Sequence, residues 1–322
     1  MSNIIFHTDT LNERGTTVAL YDYAYYVREY LNLNPIIPIN LSKNNNQIAV
    51  DKFKKDFDTF EYTNLSEIQT LVDAKGVEYF YAIKYGYPDG IVMQNTRNLI
   101  HSVFVSVASQ THGDAYAVIS EWMSVHTGGG LPWVPHMINL PQSELDYRQS
   151  FNIPKSATVI GRHGGYDTFN IPFVWNSIEK TLQERDDIWF LLMNTPEQIK
   201  HERCLYFEPE TDLNCKVAFI NTCDAMLHAR DYGETFGLSV LEFAAKNKQI
   251  ISYDNEELQI NHPLGGRSHF FYLKDNCFKY QNENDLNQIL LNINRENPFN
   301  TLDLNDEFSP KTVISKFKEV FL

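Results

Sequence analysis

Short apolar runs alternate along the chain with longer stretches whose apolar positions recur every three or four residues. That alternation predicts β-strands joined by helices, the arrangement of an α/β protein with parallel sheets. The run 3–7 predicts a first strand, followed by a loop from Thr8 to Gly15 and a helix through about Tyr30. Pro35–Ile39 reads as a second strand, the segment 43–56 as polar and charged, and Val77–Lys84 as a third strand backed by turn residues 85–90. Leu99–Val107 and Tyr116–Ser120 read as two more buried strands.

From Leu131 to about Pro154 prolines interrupt the pattern, and the rhythm then restarts. Strands are expected at 157–160, 188–193, 204–207, 225–228 and 249–253, with helices over about 172–185, 212–222 and 236–247. The last segment, 309–322, places Val313, Ile314, Phe317, Val320 and Phe321 at amphipathic helical spacing behind Pro310. The expected fold is therefore two Rossmann-like, doubly wound domains, 1–150 and 151–308, facing each other across a cleft. Helix 309–322 is expected to return to the first domain. Ligands of such sheets bind at the carboxyl ends of the strands.

Composition narrows the function. The 322 residues suit two domains of roughly 150 each, and 43% hydrophobic with 21% charged residues excludes disorder and a long coiled coil. A net charge of −14, from 27 basic and 41 acidic side chains, argues against a nucleic-acid binder. A small anionic ligand needs only a few basic groups and a helix N-terminus. The start lacks the basic and apolar regions of a signal peptide, and no window approaches 18 apolar residues, so no membrane span is expected; peripheral membrane contact stays open. The four cysteines lie in the second half without C-x-x-C spacing, which predicts free thiols and a cytoplasmic protein. No P-loop, G-x-S-x-G or G-x-G-x-x-G is present. Asp56-Phe-Asp58 is formally a metal-binding D-x-D, but it follows a charged run and reads as solvated.

The richest stretch runs from Asp224 to Ala245: a strand, a glycine-bearing loop, and a helix expected to start near Thr235. Free amides at a helix start bind anions, and Gly233 and Gly237 admit a ligand close to the backbone. Glu234 and Glu242 are eight positions apart, roughly 12 Å along a continuous helix at 1.5 Å per residue. That is about the reach from a sugar to a ribose across a diphosphate.

The run Glu234-Thr-Phe-Gly-Leu-(x)3-Glu242 resembles the E-x7-E signature of retaining, family-4-type glycosyltransferases of the GT-B fold. Thr158-Val-Ile-Gly-Arg162 is similar to the family's strand ending in Gly-Arg, whose arginine meets the diphosphate, a task suited to a guanidinium fork that grips phosphate oxygens bidentately. This chain departs from the family in having His228-Ala229 at its Pro-Ser position, Thr235 where glycine is usual, and no lysine shortly after Arg162, where His163, Gly164 and Gly165 follow.

The resemblance implies a metal-independent transferase using a nucleoside-diphosphate sugar, with no tightly bound cofactor, and a glycan, lipid or protein acceptor. It implies catalytic roles for Glu234, Arg162 and His101. Donor binding falls to Glu242, Thr235, Phe236, Gly237, Leu238, Gly164, Gly165, Asn194 and Arg230. Acceptor or sugar contacts are expected at Gly15, Thr16, His112 and Lys84. The alternatives are a sugar-nucleotide epimerase of the same fold and a catalytically silent sugar-nucleotide-binding protein.

Overall fold

The computed structural model describes residues 1–104, 106–126, 129–295, 304 and 306–322. It divides the chain into two compact units, one built from 1–137 with 306–322 and the other from 138–305. Val105, within the strand expected over 99–107, and 296–303 and 305, within the domain expected to end at 308, lie outside the described residues.

In the first unit β1 (Asn3–His7), α1 (Gly15–Leu31), β2 (Asn34–Asn40), α2 (Gln47–Asp56), β3 (Asp58–Tyr62) and α3 (Leu65–Lys75) succeed one another. Then come β4 (Tyr79–Lys84), β5 (Arg97–Ser102), β6 (Ala115–Val118) and α4 (Glu121–His126). Among the described residues these strands form one six-stranded sheet of order β3-β2-β1-β4-β5-β6, paired in parallel throughout. Its central strands are apolar on both faces; Ile4, Ile5 and Phe6 are fully buried. A parallel sheet carries helices on both sides and leaves no polar face.

The second unit contains β7 (Thr158–Arg162), α5 (Pro172–Glu184), β8 (Ile188–Met193), β9 (Cys204–Phe207), α6 (Leu213–Thr222) and β10 (Ala225–His228). It continues with β11 (Gly233–Glu234), α7 (Leu238–Ala245), β12 (Gln249–Tyr253), α8 (Glu256–Asn261), β13 (Gly266–Arg267), α9 (Ser268–Leu273), β14 (Phe278–Tyr280) and α10 (Glu283–Asn292). Its sheet has the order β9-β8-β7-β10-β12-β14, again all parallel. Numbered from its first strand, that is the same 3-2-1-4-5-6 winding as the first sheet. A separate two-stranded ribbon pairs β11 with β13.

The closing helix α11 (Pro310–Phe321) is capped by Ser309, whose hydroxyl accepts from the Thr312 amide at 3.2 Å. It buries Val313, Ile314, Phe317 and Phe321 in the first unit, where Phe317 meets Tyr23 and Tyr81. Several elements escape the sequence pattern, among them α2, α4, α8, α9, α10 and β14, and two others, α3 and β3, do so although their signals are present. Helix α3 begins with a reciprocal Asn64–Glu67 capping box. Strand β3 starts at Asp58, and Asp56 accepts from the Tyr21 hydroxyl at 2.7 Å.

Candidate functional site

Candidate side chains of the second unit gather at the carboxyl end of its sheet, and a local irregularity puts them there. The helix expected near Thr235 starts at Leu238, with Gly237 as its N-cap in the left-handed region at φ 90°. Thr235, Phe236 and Gly237 therefore precede the helix, and Glu234 sits in the β11–β13 ribbon, so helical rise does not set its separation from Glu242. The ribbon is tight: a Cβ on Gly266 would lie 2.7 Å from the Glu234 carbonyl oxygen. Thr235 is buried, and its carbonyl accepts from the Ser268 hydroxyl at 2.5 Å; Phe236 packs against Tyr272.

Each glutamate has its own cation. Glu234 Oε2 accepts from Arg230 at 2.6 Å, and Oε1 lies 3.1 Å from His228 Nε2. Burial alone would raise its pKa; the Arg230 guanidinium, helped by His228, outweighs burial and takes it down to about 2. Arg230 also lies over the Tyr232 ring. Glu242, on α7 and 4% exposed, accepts from Lys216 Nζ at 3.1 Å. His163 Nε2 lies 3.1 Å from its other oxygen, close enough for an ion pair but outside hydrogen-bond geometry. Burial again opposes ionisation, and Lys216 with His163 brings the carboxyl to about 2. Burial pushes the His163 pKa down, against the pull of Glu242.

Arg162 ends β7, 2% exposed, and its terminal nitrogens are spent on protein acceptors. One donates to the carbonyls of Met193 and Asn194 and to Thr195 Oγ1, at 3.0, 2.7 and 2.6 Å. The other donates to the Gly165 carbonyl at 2.6 Å and Thr168 Oγ1 at 2.7 Å. The bidentate diphosphate grip expected of it has no free terminal nitrogen here. Arg162 instead clamps the loop holding Gly164 and Gly165 to the end of β8, where the Asn194 side chain donates to the Gly164 carbonyl at 2.9 Å. Burial lowers its pKa to about 10, against the attraction of Glu234 and Asp167.

His101 does not present itself to a ligand. It is fully buried in β5, with Nε2 donating to the Val134 carbonyl at 2.9 Å and Nδ1 accepting from the Tyr81 hydroxyl at 2.7 Å. Burial drives its pKa to about 3, and Tyr23, His136 and Phe321 pack around the ring. Lys84, at the end of β4, is tied to Asp89 at 2.5 Å and to the Ile91 carbonyl at 3.2 Å, and burial lowers its pKa. His112 Nδ1 donates to the Gln110 carbonyl at 2.9 Å, and its ring lies beside Tyr116. Gly15 and Thr16 are half-buried at the start of α1.

The structure adds Lys216, Ser252 and His269, which the sequence pattern did not single out. Lys216 had a visible signal: it is the one charge within 213–222, an otherwise apolar and amide-bearing helix. Ser252 and His269 had none, because their meaning depends on strand pairing. All four cysteines are free, no cluster of His, Cys, Asp or Glu among the described residues could hold a metal, and none of the described helices is long and apolar enough to cross a membrane.

No protein-family model and no curated protein matches the sequence. Solved structures do match in fold. A glycosyltransferase from Rickettsia africae ESF-5 superposes with a TM-score of 0.70 at 14% identity, covering 99% of this chain and 97% of that one. HepE from Anabaena, in complex with UDP-glucose, gives 0.70 at 10% identity over 99% of both chains. A mutant of S. aureus TarM, in complex with Fondaparinux, alpha-GlcNAc-glycerol and UDP, gives 0.64 at 9% identity over 99% of both. The chain has the GT-B fold.

Proposed function

We propose that this chain is a glycosyltransferase that moves a sugar from a nucleoside-diphosphate sugar to a glycan, lipid or protein acceptor, retaining the anomeric configuration and using no metal. One observation carries the reading: two glutamates, Glu242 buried and Glu234 with 15% of its side chain exposed, flank the glycine turn at the head of α7, each held ionised by its own cation, Arg230 for Glu234 and Lys216 for Glu242. A carboxylate has about four lone-pair positions, so each glutamate keeps acceptor capacity for ligand hydroxyls after its protein bonds are made. This supports reading the pair as the E-x7-E signature, and glycosyltransferases seen with UDP or UDP-glucose share the fold.

In this reading Glu234 accepts from hydroxyls of the transferred sugar and Glu242 from the ribose diol. The amides that open α7 lack intrahelical partners and face the charge growing on the departing diphosphate. Thr235, Phe236, Gly237 and Leu238 shape that approach. Arg162 serves by fixing Gly164, Gly165 and Asn194 rather than by touching phosphate. The leaving phosphate takes the acceptor's proton as the acceptor attacks from the same face, which gives retention.

The test is incubation of the full chain with a panel of nucleoside-diphosphate sugars, scoring free nucleoside diphosphate and transferred sugar separately. Release with transfer and an unchanged anomer is expected. Isomerised donor without release would replace the reading with epimerisation. If no donor turns over and calorimetry detects no nucleoside-diphosphate binding at millimolar concentration, the reading is wrong.

A further inference from the structure

Behind Glu234 stands a line of side chains that the proposed reaction leaves unused. Strands β10 and β12 pair in parallel with His228 directly opposite Ser252, which puts both side chains on one face of the sheet. Ser252 Oγ lies 2.9 Å from His228 Nδ1 and 3.2 Å from His269 Nε2, at the start of α9. The other ring nitrogen of His228 faces Glu234 Oε1 at 3.1 Å. His228, Ser252 and His269 are all buried.

What each end can do fixes the direction of the bonds. An ionised carboxylate only accepts, so His228 Nε2 carries a hydrogen. With His228 neutral, its Nδ1 is a lone pair, Ser252 donates to it, and His269 Nε2 donates to Ser252. His269 Nδ1 is then a bare lone pair, and that atom is buried without a partner. Burial and the neighbouring His228 hold His269 neutral, pushing its pKa well below the usual range. An uncompensated buried acceptor costs on the order of 1–3 kcal/mol, and a hydrogen placed on this atom removes a bare lone pair from the buried end of the chain.

A proton taken up at His269 Nδ1 reverses the chain. His269 Nε2 passes its hydrogen to Ser252 Oγ, Ser252 passes its own to His228 Nδ1, and His228 becomes an imidazolium against Glu234. One proton enters, two shift along existing hydrogen bonds, and His269 ends neutral in its other tautomer. The charged groups facing these rings are Glu234, Arg230 and Arg267, the last paired with Asp254 at 2.5 Å.

We propose that His269, Ser252 and His228 form a positioning relay for Glu234, in which the ring of His228 is fixed so that it holds one carboxylate oxygen while Arg230 holds the other, and a proton entering at His269 sets the charge at that contact. The inference rests on Glu234 meeting the transferred sugar. Protonating His228 strengthens its hold on Glu234 and weakens Glu234 as an acceptor for sugar hydroxyls, so turnover has an acid limb that belongs to the relay.

The experiment uses the full chain and the nucleoside-diphosphate sugar it turns over fastest. Ser252→Ala removes the hydroxyl that stabilises the protonated ring, so the acid limb of kcat moves to lower pH by roughly half a unit or more. His228→Ala lowers kcat about 10-fold or more, and His228→Gln, whose amide can still donate to Glu234, recovers a large part of that loss. Nitrogen-15 spectra of the histidine rings show a hydrogen on Nε2 and a bare Nδ1 for both His228 and His269 in the resting protein. A His228 ring with bare Nε2, or an unmoved acid limb in Ser252→Ala, overturns the relay. Should His228→Ala fail to fold, the Ser252 limb and the ring spectra decide alone. Glu234→Ala separates the two readings: if it keeps full turnover, the function assigned to Glu234 fails. If it is impaired while the His228 variants and the Ser252 limb match wild type, the relay alone fails.

Discussion

The two units share one winding order, yet the equivalent strands β5 and β12 treat their polar groups differently. In the first sheet His101, on the strand after β4, is locked between a carbonyl and a tyrosine hydroxyl. The carbonyl accepts only, so the ring has one tautomer and no use for a proton. In the second sheet the equivalent strand carries Ser252, bonded to His228 on one side and His269 on the other, and that chain can run in either direction. The first network is closed by the fold; the second ends at Glu234, in the β11–β13 ribbon that has no counterpart among the described elements of the first unit. A shared topology thus supplies the edge at which ligands of such sheets bind in general, while what is inserted between its strands decides which polar groups reach it.

The comparison breaks most visibly at the ion pairs. Lys216 and Glu242 are both buried, with 9% and 5% of their side chains exposed, so Lys216→Met leaves a buried carboxylate short of its main partner. Calorimetry of the variant is expected to show a loss of about 3 kcal/mol, largely recovered in the Lys216→Met/Glu242→Leu double variant, which removes both charges. In the first unit Lys84 is as buried as Lys216, at 8%, but Asp89 is 24% exposed, so water can reach the carboxylate that Lys84→Met leaves behind and a smaller cost, roughly 1–2 kcal/mol, is expected. Equal costs would show that the two edges are built alike.

Turnover sharpens the contrast next. Glu234→Ala is expected to lower kcat about 10- to 150-fold, because a charged hydrogen bond worth roughly 1.5–3 kcal/mol tightens as the anomeric bond breaks. Glu242→Ala is expected to raise the donor KM more than it lowers kcat, since the ribose changes little during reaction. Steady-state kinetics of both variants checks this, and the reverse pattern would exchange the two roles. His101→Gln is expected to leave kcat within about twofold, since its ring is closed off from any ligand.

Acid unfolding reads the same contrast through stability. His101 has a folded pKa of about 3 against 6.5 for a free histidine, and a group depressed in this way stabilises the fold above its unfolded value. That stability is present above pH 6.5 and is lost as pH falls toward 3, at up to roughly 1.4 kcal/mol per pH unit. The carboxyls of Glu234 and Glu242, at about 2 against 4.5, add their loss only below pH 4.5. Burial depresses His7, His136, His163 and His269 in the same way, so His101→Gln is expected to reduce the slope of the stability curve between pH 6.5 and 4.5 without abolishing it, and an unchanged slope there would show that His101 does not contribute. The smallest expected effect is none: EDTA-treated protein keeps its turnover, and restoration by magnesium or manganese after a loss would assign the diphosphate charge to a metal.

Much of the fold was legible in the sequence because parallel strands buried on both faces leave continuous apolar runs. Strands β1, β8, β9, β10 and β12 fall on the residues the pattern indicated, and α11 follows its apolar spacing. The capping box at Asn64 and the strand at Asp58 were also written there and went unread. Local spacing and glycines likewise mark Glu234 and Glu242 as candidates, and the resemblance adds Arg230, which pairs with Glu234. The sequence could not decide what each side chain touches. Arg162 reads as a phosphate clamp until the fold brings the Met193, Asn194 and Gly165 carbonyls to its guanidinium, and His101 reads as a ligand contact until Val134 and Tyr81 close around it. Lys216, Ser252 and His269 acquire meaning only when distant segments meet: Lys216 lies 26 residues from Glu242, and His269 lies 17 from Ser252. Hydrophobic periodicity is a local property set by helix and strand geometry, so one chain reveals it; hydrogen bonds between distant segments depend on how the sheets align, which tertiary packing alone decides.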